Sequence, residues 1–335
     1  MKDVIGISEP WNAGFIEPER EMVPRDYLWA SELGNAPIDI FLRLKATAPS
    51  NPPNDRAKRK MSAGVKWEFV IEQILKSAGI LLETQQRCEH QYPGMLKVTG
   101  KMDFLIGGKC DEASAQAYLD AGDLYIDKFT KQAALNIIKY YAKEYPDGFE
   151  PRPVEFKSIS DYAMDDMEVT EKPIERNVIQ LFHYLISGDY PIGTLSYMNR
   201  NDCRMMEFPI VKSPEIEERY KAKIALVSKY VLAGEMPPKE PLIIFDEIAG
   251  KFSKNLNVSW SNYLTMLYSF KEPREYDEPY GKKAENWNRV MARVRDGAKM
   301  TDKNNAILAE IAAEGFVVED IKSKFRAKPE TEEAV

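Results

Sequence analysis

The clearest pattern in the chain is a helical repeat of apolar residues between positions 60 and 78. These residues share the three- and four-residue spacing of one helix face: Trp67, Val70, Ile71, Ile74, Leu75 and Ala78. Gly79 follows directly and suits a helix end. Similar spacing predicts helices over 111–145, 175–187 and 214–234, and two short helical pieces within 27–45, broken at Gly34 and Pro37.

Alternating or short apolar runs bounded by turn residues predict five strands. These are Thr84–Tyr92, Leu96–Ile106, Pro153–Ile159, Gly193–Met198 and Arg204–Val211. Helices and strands are interleaved along the chain, which indicates an α/β core. We therefore expect a central mixed sheet of about five strands flanked by helices, with a helical insert and a helical C-terminal extension.

Proline, glycine and charge distribution divide the chain into four expected parts. Residues 1–59 form an N-terminal arm and helical segment, and 60–235 form the core, with the helical insert at 111–150. Residues 236–325, after Pro237 and Pro238, form a mainly helical C-terminal extension. Residues 326–335 form a flexible tail.

Composition excludes several classes of protein. Of 335 residues, 44% are hydrophobic and 30% are charged, which is typical of a globular protein and not of a disordered or collagen-like chain. Three scattered cysteines and two histidines argue against a disulfide framework, a zinc ribbon and an iron–sulfur cluster. No apolar run suits a signal peptide or a membrane span, so we expect a cytoplasmic protein. The formal net charge of −7 does not by itself indicate nucleic-acid binding.

Acidic residues on two predicted strands are the first candidates for chemistry. Asp103 lies in an apolar strand, and burying an unpaired carboxylate is costly unless a metal or a partner compensates. Glu155 and Lys157 are two residues apart on another strand and therefore share a face. Glu68 lies on the shoulder of the apolar stripe of the 60–78 helix, where it can lean over the end of the sheet. Carboxylate oxygens beside an amine suit Mg²⁺ or Mn²⁺.

Two further groups accompany these acids. Gln180 and Tyr184 are four residues apart and share a face of the 175–187 helix. A basic cluster precedes Glu68 and could attract phosphate, although an ordinary solvated loop explains it equally well: Arg56, Lys58, Arg59, Lys60 and Lys66. A second cluster in the extension could contact DNA, with Trp287 stacking on a base, although amphipathic packing also explains it: Lys282, Lys283, Trp287, Arg289, Arg293 and Arg295.

Taken in order, these motifs resemble the PD-(D/E)xK nuclease superfamily, in its RecB-like and phage-exonuclease branch. The segment 64–72 is similar to the first-helix motif, and Gly100-Lys101-Met102-Asp103 to the second motif. Glu155-Phe156-Lys157 is similar to the third motif, and 180–184 to the QxxxY helix. The resemblance covers about residues 25–235.

The resemblance implies a role for each matching residue. Asp103 and Glu155 would ligate Mg²⁺ or Mn²⁺ with the Phe156 carbonyl, and Lys157 would be the catalytic lysine. Glu68 would be a third acid, at a position where RecB-like members usually carry His. Gln180 and Tyr184 would support the site or touch DNA. The cysteine positions of iron–sulfur members are not matched, so the resemblance is to members without a cluster.

The implied activity is metal-dependent hydrolysis of DNA phosphodiesters to 5′-phosphate products. The resemblance favours an exonuclease of phage-type recombination, repair or degradation, located in the host cytoplasm if the chain is phage-encoded. A structure-specific or nicking endonuclease, or a catalytically silent DNA-binding recombination partner, stays open. A single-strand annealing or other recombination protein could be a partner, but no residue identifies one.

Overall fold

The structure is a computed structural model that describes residues 21–120, 128–247 and 249–326. It divides into two units, Met1–Thr47 with Pro53–Met236, and Ala48–Pro52 with Pro237–Val335. Most of the expected N-terminal arm (1–20) and nearly all of the expected tail (327–335) lie outside the described residues.

A six-stranded mixed sheet organises the first unit. Its strands are β1 (Tyr27–Trp29), β2 (Leu81–His90), β3 (Lys97–Gly108), β4 (Phe149–Ile159), β5 (Ile192–Asn199) and β6 (Met205–Val211). The order is β1-β3-β4-β5-β6, with β2 on the opposite edge of β3. The pairs β1–β3 and β4–β5 are parallel, and β2–β3, β3–β4 and β5–β6 are antiparallel. The expected mixed α/β fold is confirmed.

Helices cover both faces of this sheet. They are α1 (Pro37–Leu44), α2 (Asp55–Ser77), α3 (Glu112–Asp120), α4 (Lys128–Glu144), α5 (Asp161–Thr170), α6 (Glu175–Ser187) and α7 (Pro214–Ala233). One apolar core unites α1, α6 and α7 with one face, and a second core unites α2, α3 and α4 with the other. Alternation along β4 sends Phe156 to the second core and Ile159 to the first, as a strand between two helix layers requires.

Two expectations about local structure were wrong, and one helix was not foreseen. Tyr27–Trp29 is a strand and not a helical piece, because it pairs in parallel with Lys97–Thr99. Helix α2 begins at Asp55 and not at Lys60, since the Asn54 side chain accepts a hydrogen bond from the Ala57 N–H and caps the helix there. Helix α5, which follows β4, was not foreseen because only Met164 and Met167 of its ten residues are buried, which is too short a pattern to indicate a helix face.

The second unit holds a hairpin and five helices among its described residues. They are β7 (Ile243–Asp246), β8 (Lys251–Lys254), α8 (Leu256–Ser259), α9 (Leu264–Tyr268), α10 (Arg274–Arg295), α11 (Asp302–Ala313) and α12 (Val318–Lys324). The helical extension is confirmed, and the hairpin escaped prediction because each strand has only four residues. No helix within the described ranges is long and apolar enough to cross a membrane.

Candidate active site

The two acid-bearing strands lie side by side at the centre of the sheet. Strand β3 pairs with β4 through Phe104 and Val154, next to Asp103 and Glu155. The Phe156 backbone N–H donates a 2.9 Å hydrogen bond to Oδ2 of Asp103. Both acids are buried, with 8% of Asp103 and none of Glu155 exposed. Antiparallel pairing therefore brings together two motifs that are about fifty residues apart in the chain.

Lys157 extends to the same side as Glu155, as the two-residue spacing predicts. Its ammonium forms an ion pair with Oε1 of Glu155. The other oxygen of that carboxylate, Oε2, is buried and accepts no hydrogen bond from any residue that the structure describes. A buried anion with an unpartnered oxygen is costly, so this atom is suited to a cation that enters the site.

Glu68 on α2 contacts β2, the strand that pairs with the Asp103 strand. Its Oε1 accepts a 2.6 Å hydrogen bond from Nε2 of Gln85 on β2. Burial and the nearby Asp103 carboxylate raise the pKa of Glu68 to about 7, while Lys157 acts in the opposite direction. Glu68 is therefore close enough to Asp103 and Lys157 to interact with both electrostatically. We call Glu68, Asp103, Glu155 and Lys157 the charged cluster.

Electrostatics in the charged cluster favours a divalent cation. Burial raises the pKa of Asp103 above its usual range, with Lys157 opposing, and raises the pKa of Glu155 to about 8. Burial alone would lower the pKa of Lys157, but Glu155 and Asp103 raise it, so the lysine stays an ammonium. When all three carboxylates are ionised, they and the one ammonium leave two negative charges in excess, and the raised pKa values of the acids reflect the cost of burying that charge without a compensating cation. The oxygen donors and this excess charge fit Mg²⁺ or Mn²⁺.

The side chains of the charged cluster do not already have the arrangement of a complete set of metal ligands. Among residues 21–120, 128–247 and 249–326, no three His, Cys, Asp or Glu side chains already converge as the ligands of an ion. In the charged cluster, the Lys157 ammonium stands at Oε1 of Glu155, where a ligated ion would compete with it. The Phe156 backbone adjoins Asp103, but the predicted role of its carbonyl as a ligand stays a prediction.

Gln180 and Tyr184 form a hydrogen-bonded chain that reaches the Asp103 strand. Nε2 of Gln180 donates to the Tyr184 hydroxyl at 3.1 Å, and that hydroxyl donates to the Lys101 carbonyl at 2.8 Å. Both side chains are largely buried, and burial raises the pKa of Tyr184 well above its usual value. The pair thus ties α6 to β3 two residues before Asp103, which is a supporting contact.

His183, between these two residues, belongs to the core. Its Nδ1 is 2.8 Å from the Tyr220 hydroxyl and its Nε2 is 3.2 Å from the Cys88 carbonyl oxygen. Burial lowers the pKa of His183 to about 4, so the ring is neutral at pH 7. The ring links α6, α7 and β2 and packs against Tyr220.

The predicted basic residues lie on α2, in the turns before Glu68. We call Arg56, Arg59, Lys60 and Lys66 the basic helix face. At 100° per residue they fall within about 120° of one another, and Lys60 is about 12 Å from Glu68 along the axis. Within the part of the chain that the structure describes, none of the four forms an ion pair. Their charge is therefore available to an anion.

Gln85 is a member of the site that the sequence did not reveal. Glutamine in a strand carries no chemical signature, and its pairing with Glu68 depends on how α2 packs on β2. The sequence held only an indirect indication of Gln85. Two consecutive predicted strands joined by a turn are expected to pair, so one residue of β2 was expected to lie opposite Asp103.

Comparisons with known proteins give weak similarities of fold. No family model matches the chain, and no curated protein matches it. Among solved structures, SSO0001 is similar, with a TM-score of 0.39, 14% identity and coverage of 70% of this chain and 90% of that one. An alkaline exonuclease from Laribacter hongkongensis is similar at a TM-score of 0.38 and 11% identity, covering 68% of this chain and 93% of that one. Its complex with dAMP gives 0.39 and 11% over the same shares. Similarity at this level assigns no family.

Proposed function

We propose that the chain is a divalent-metal-dependent deoxyribonuclease of PD-(D/E)xK type, an exonuclease that hydrolyses DNA phosphodiesters to 5′-phosphate products. One observation carries the proposal. Strands β3 and β4 and helix α2, remote from one another in sequence, bring the buried acids Asp103 and Glu155 close to Lys157 and to the half-buried Glu68. The order and spacing of the motifs that supply these residues support the same assignment.

Glu68, Asp103 and Glu155, with the Phe156 carbonyl, would hold the ion. A bound Mg²⁺ or Mn²⁺ supplies water activation and neutralises charge on the phosphodiester. The Oε2 atom of Glu155 is the natural first contact, because it is buried without a partner. The Phe156 N–H holds one Asp103 oxygen in place, which leaves the other oxygen of that carboxylate to turn toward the ion.

Lys157 would act on the reacting groups directly. Its ammonium is kept protonated by the neighbouring acids, and about a third of its side chain is exposed. A fixed positive charge at this position orients the attacking water and stabilises negative charge on phosphorus-bound oxygens. The hydrogen bonds from Gln180 to Tyr184 and from Tyr184 to the Lys101 carbonyl would hold the strand of Asp103 in position. The basic helix face would attract the phosphate backbone toward the cluster.

The biological setting follows from the motif resemblance alone. We place the protein in phage-type DNA recombination, repair or degradation in the cytoplasm, with DNA as its partner. Endonucleolytic action on the same fold and catalytic silence are the competing assignments, and both are separated by the experiment below.

The test is digestion of linear duplex, single-stranded and covalently closed circular DNA with Mg²⁺ or Mn²⁺. We expect loss of linear DNA with mononucleotide or short 5′-phosphate products and intact closed circles. Asp103→Ala and Lys157→Ala should abolish digestion, whereas Glu278→Ala and Lys282→Ala, which break an exposed ion pair on α10, should not. Cutting of closed circles would replace the exonuclease assignment with an endonuclease. Undiminished digestion by Asp103→Ala and Lys157→Ala would reject this site.

A further inference from the structure

Gln85 has an unusual backbone for its place in the fold. It lies in the middle of β2, yet its φ is 50°, in the left-handed region that residues with a side chain seldom adopt. Its neighbours keep the ladder with β3, because Thr84 pairs with Phe104 and Gln86 pairs with Met102. The distortion is therefore confined to the position opposite Asp103. Strain of this kind persists only where the surrounding structure holds it, and it concentrates at functional sites.

Gln85 connects the helix that carries Glu68 to the strand that pairs with the Asp103 strand. Its Nε2 donates to Oε1 of Glu68 on α2 at 2.6 Å, and its backbone lies opposite Asp103, between the pairs Thr84–Phe104 and Gln86–Met102. Glu68 belongs to a helix and Asp103 to the sheet, so their relative position otherwise depends on packing alone. The hydrogen bond from Gln85 holds the Glu68 carboxylate to the sheet next to Asp103.

A glutamine amide suits this position chemically. It donates hydrogen bonds to carboxylates but carries no charge, so the excess negative charge that attracts a divalent cation is preserved. A lysine or arginine here would neutralise that charge, and a glutamate would add a further repulsive carboxylate. An asparagine tolerates the left-handed backbone but is one methylene shorter.

We propose that Gln85 is a positioning residue of the active site, whose amide holds the Glu68 carboxylate toward Asp103 and whose strained backbone aims that amide. The inference rests on the proposed function, since it takes Glu68 and Asp103 as ligands of the ion. Without the amide, Glu68 is free to turn toward solvent from its half-buried place on α2. Ion binding would then have to order the carboxylate as well as ligate it.

The decisive variant is Gln85→Gly, because it separates positioning from folding. Glycine adopts a positive φ freely, so the metal-free protein should melt at a higher temperature than the unaltered protein. The same variant should bind Mn²⁺ at least about tenfold more weakly in calorimetry, the usual cost of removing a residue that orients a ligand. The turnover number for DNA should fall while KM changes little.

Two further variants complete the design. Gln85→Asn keeps the backbone preference but shortens the reach, so its Mn²⁺ affinity should resemble that of Gln85→Gly. Gln86→Ala removes the same type of side chain one position along β2, and it should leave Mn²⁺ affinity and turnover unchanged. A general loss of structure cannot raise the melting temperature and lower ion affinity together.

The outcomes distinguish this inference from the proposed function. If the unaltered protein binds Mn²⁺ and Asp103→Ala does not, while Gln85→Gly binds as tightly as the unaltered protein, Gln85 is not a positioning residue but the nuclease site stands. If the unaltered protein binds no Mn²⁺, the proposed function fails and this inference fails with it.

Discussion

Two stretches of basic residues, one in each unit of the chain, are nearly indistinguishable in sequence and differ physically. The basic helix face on α2 keeps four cations without ion pairs among the described residues. The C-terminal basic patch, by which we mean Lys282, Lys283, Trp287, Arg289, Arg293 and Arg295, differs because Lys282, Lys283 and Arg295 each form an ion pair with a nearby acid. Lys283 pairs with Glu310 and Glu314, and Arg295 pairs with Asp296.

The aromatic residue of the C-terminal basic patch sharpens this difference. The sequence left two interpretations of Trp287 open, stacking on a base and amphipathic packing, and packing is confirmed because the side chain is fully buried. Its Nε1 donates to Glu310, its ring meets Phe252 edge-on, and the Lys283 ammonium lies 5.0 Å from the ring centroid. The comparison teaches that a run of basic residues indicates a nucleic-acid surface only where the fold supplies no acids to pair with it.

The largest expected contrast concerns catalysis. Asp103→Ala and Lys157→Ala each remove a member of the charged cluster and should lower the rate of DNA hydrolysis by roughly 10³-fold, since each group acts on the reacting centre. Glu310→Ala and Lys283→Ala each remove one partner of an ion pair at the C-terminal basic patch. Both variants should keep the full rate of DNA hydrolysis at temperatures where they are folded. Steady-state digestion of linear duplex DNA measures the rate of each variant. Comparable losses of rate in the two regions would contradict the difference we expect between them.

The second contrast concerns stability. Trp287→Ala should lower the free energy of unfolding of the second unit by about 3–5 kcal/mol, because it empties a fully buried aromatic site. Arg56→Ala, at an exposed position of α2, should change stability by less than about 0.5 kcal/mol. Denaturant unfolding followed by tryptophan fluorescence and circular dichroism measures these effects. A stable Trp287→Ala protein with weakened DNA binding would restore the stacking hypothesis.

The third contrast concerns DNA affinity. Replacing Arg56, Arg59, Lys60 and Lys66 together by Gln should flatten the dependence of log affinity on log salt by about 3 to 4, if each residue contacts one phosphate. Replacing Lys282, Arg289 and Arg293 together should leave that slope unchanged. Binding to duplex DNA across a salt series, with Ca²⁺ in place of Mg²⁺ to prevent cleavage, gives both slopes. Equal slopes for the two variants would contradict the comparison.

The smallest expected effect is on the pH dependence of stability without metal. The pKa of Glu68 rises from 4.5 to about 7 and that of Glu155 from 4.5 to about 8, chiefly through burial. Their contribution to stability is therefore present below pH 4.5 and lost as the pH rises through 7 to 8. The pKa of His183 falls from 6.5 to about 4, again through burial. Its contribution is present above pH 6.5 and lost as the pH falls through 4.

Thermal unfolding between pH 4 and pH 9 measures both declines. Glu68→Gln should reduce the alkaline decline and leave the acid decline in place, and saturating Mg²⁺ should also reduce the alkaline decline. An alkaline decline that neither change affects would show that the charged cluster does not govern it.

The sequence by itself determined the elements and most of the chemistry. Periodicity placed α2, α6, α7 and five strands to within a few residues, because helix and strand spacing are local properties. The same local rule put Glu155 beside Lys157 and Gln180 beside Tyr184. Asp103 could be singled out because a carboxylate inside an apolar strand needs compensation.

Only the tertiary structure decided which of these groups meet. The pairing of β3 with β4 joined Asp103 to the Phe156 backbone, and the packing of α2 on β2 joined Glu68 to Gln85. It also paired Tyr27–Trp29 with β3, against the sequence expectation, and it decided between packing and base stacking for Trp287 by burying the side chain. The physical reason is that these contacts are long-range: their energies depend on partners far away in the chain, which no local pattern of residues records.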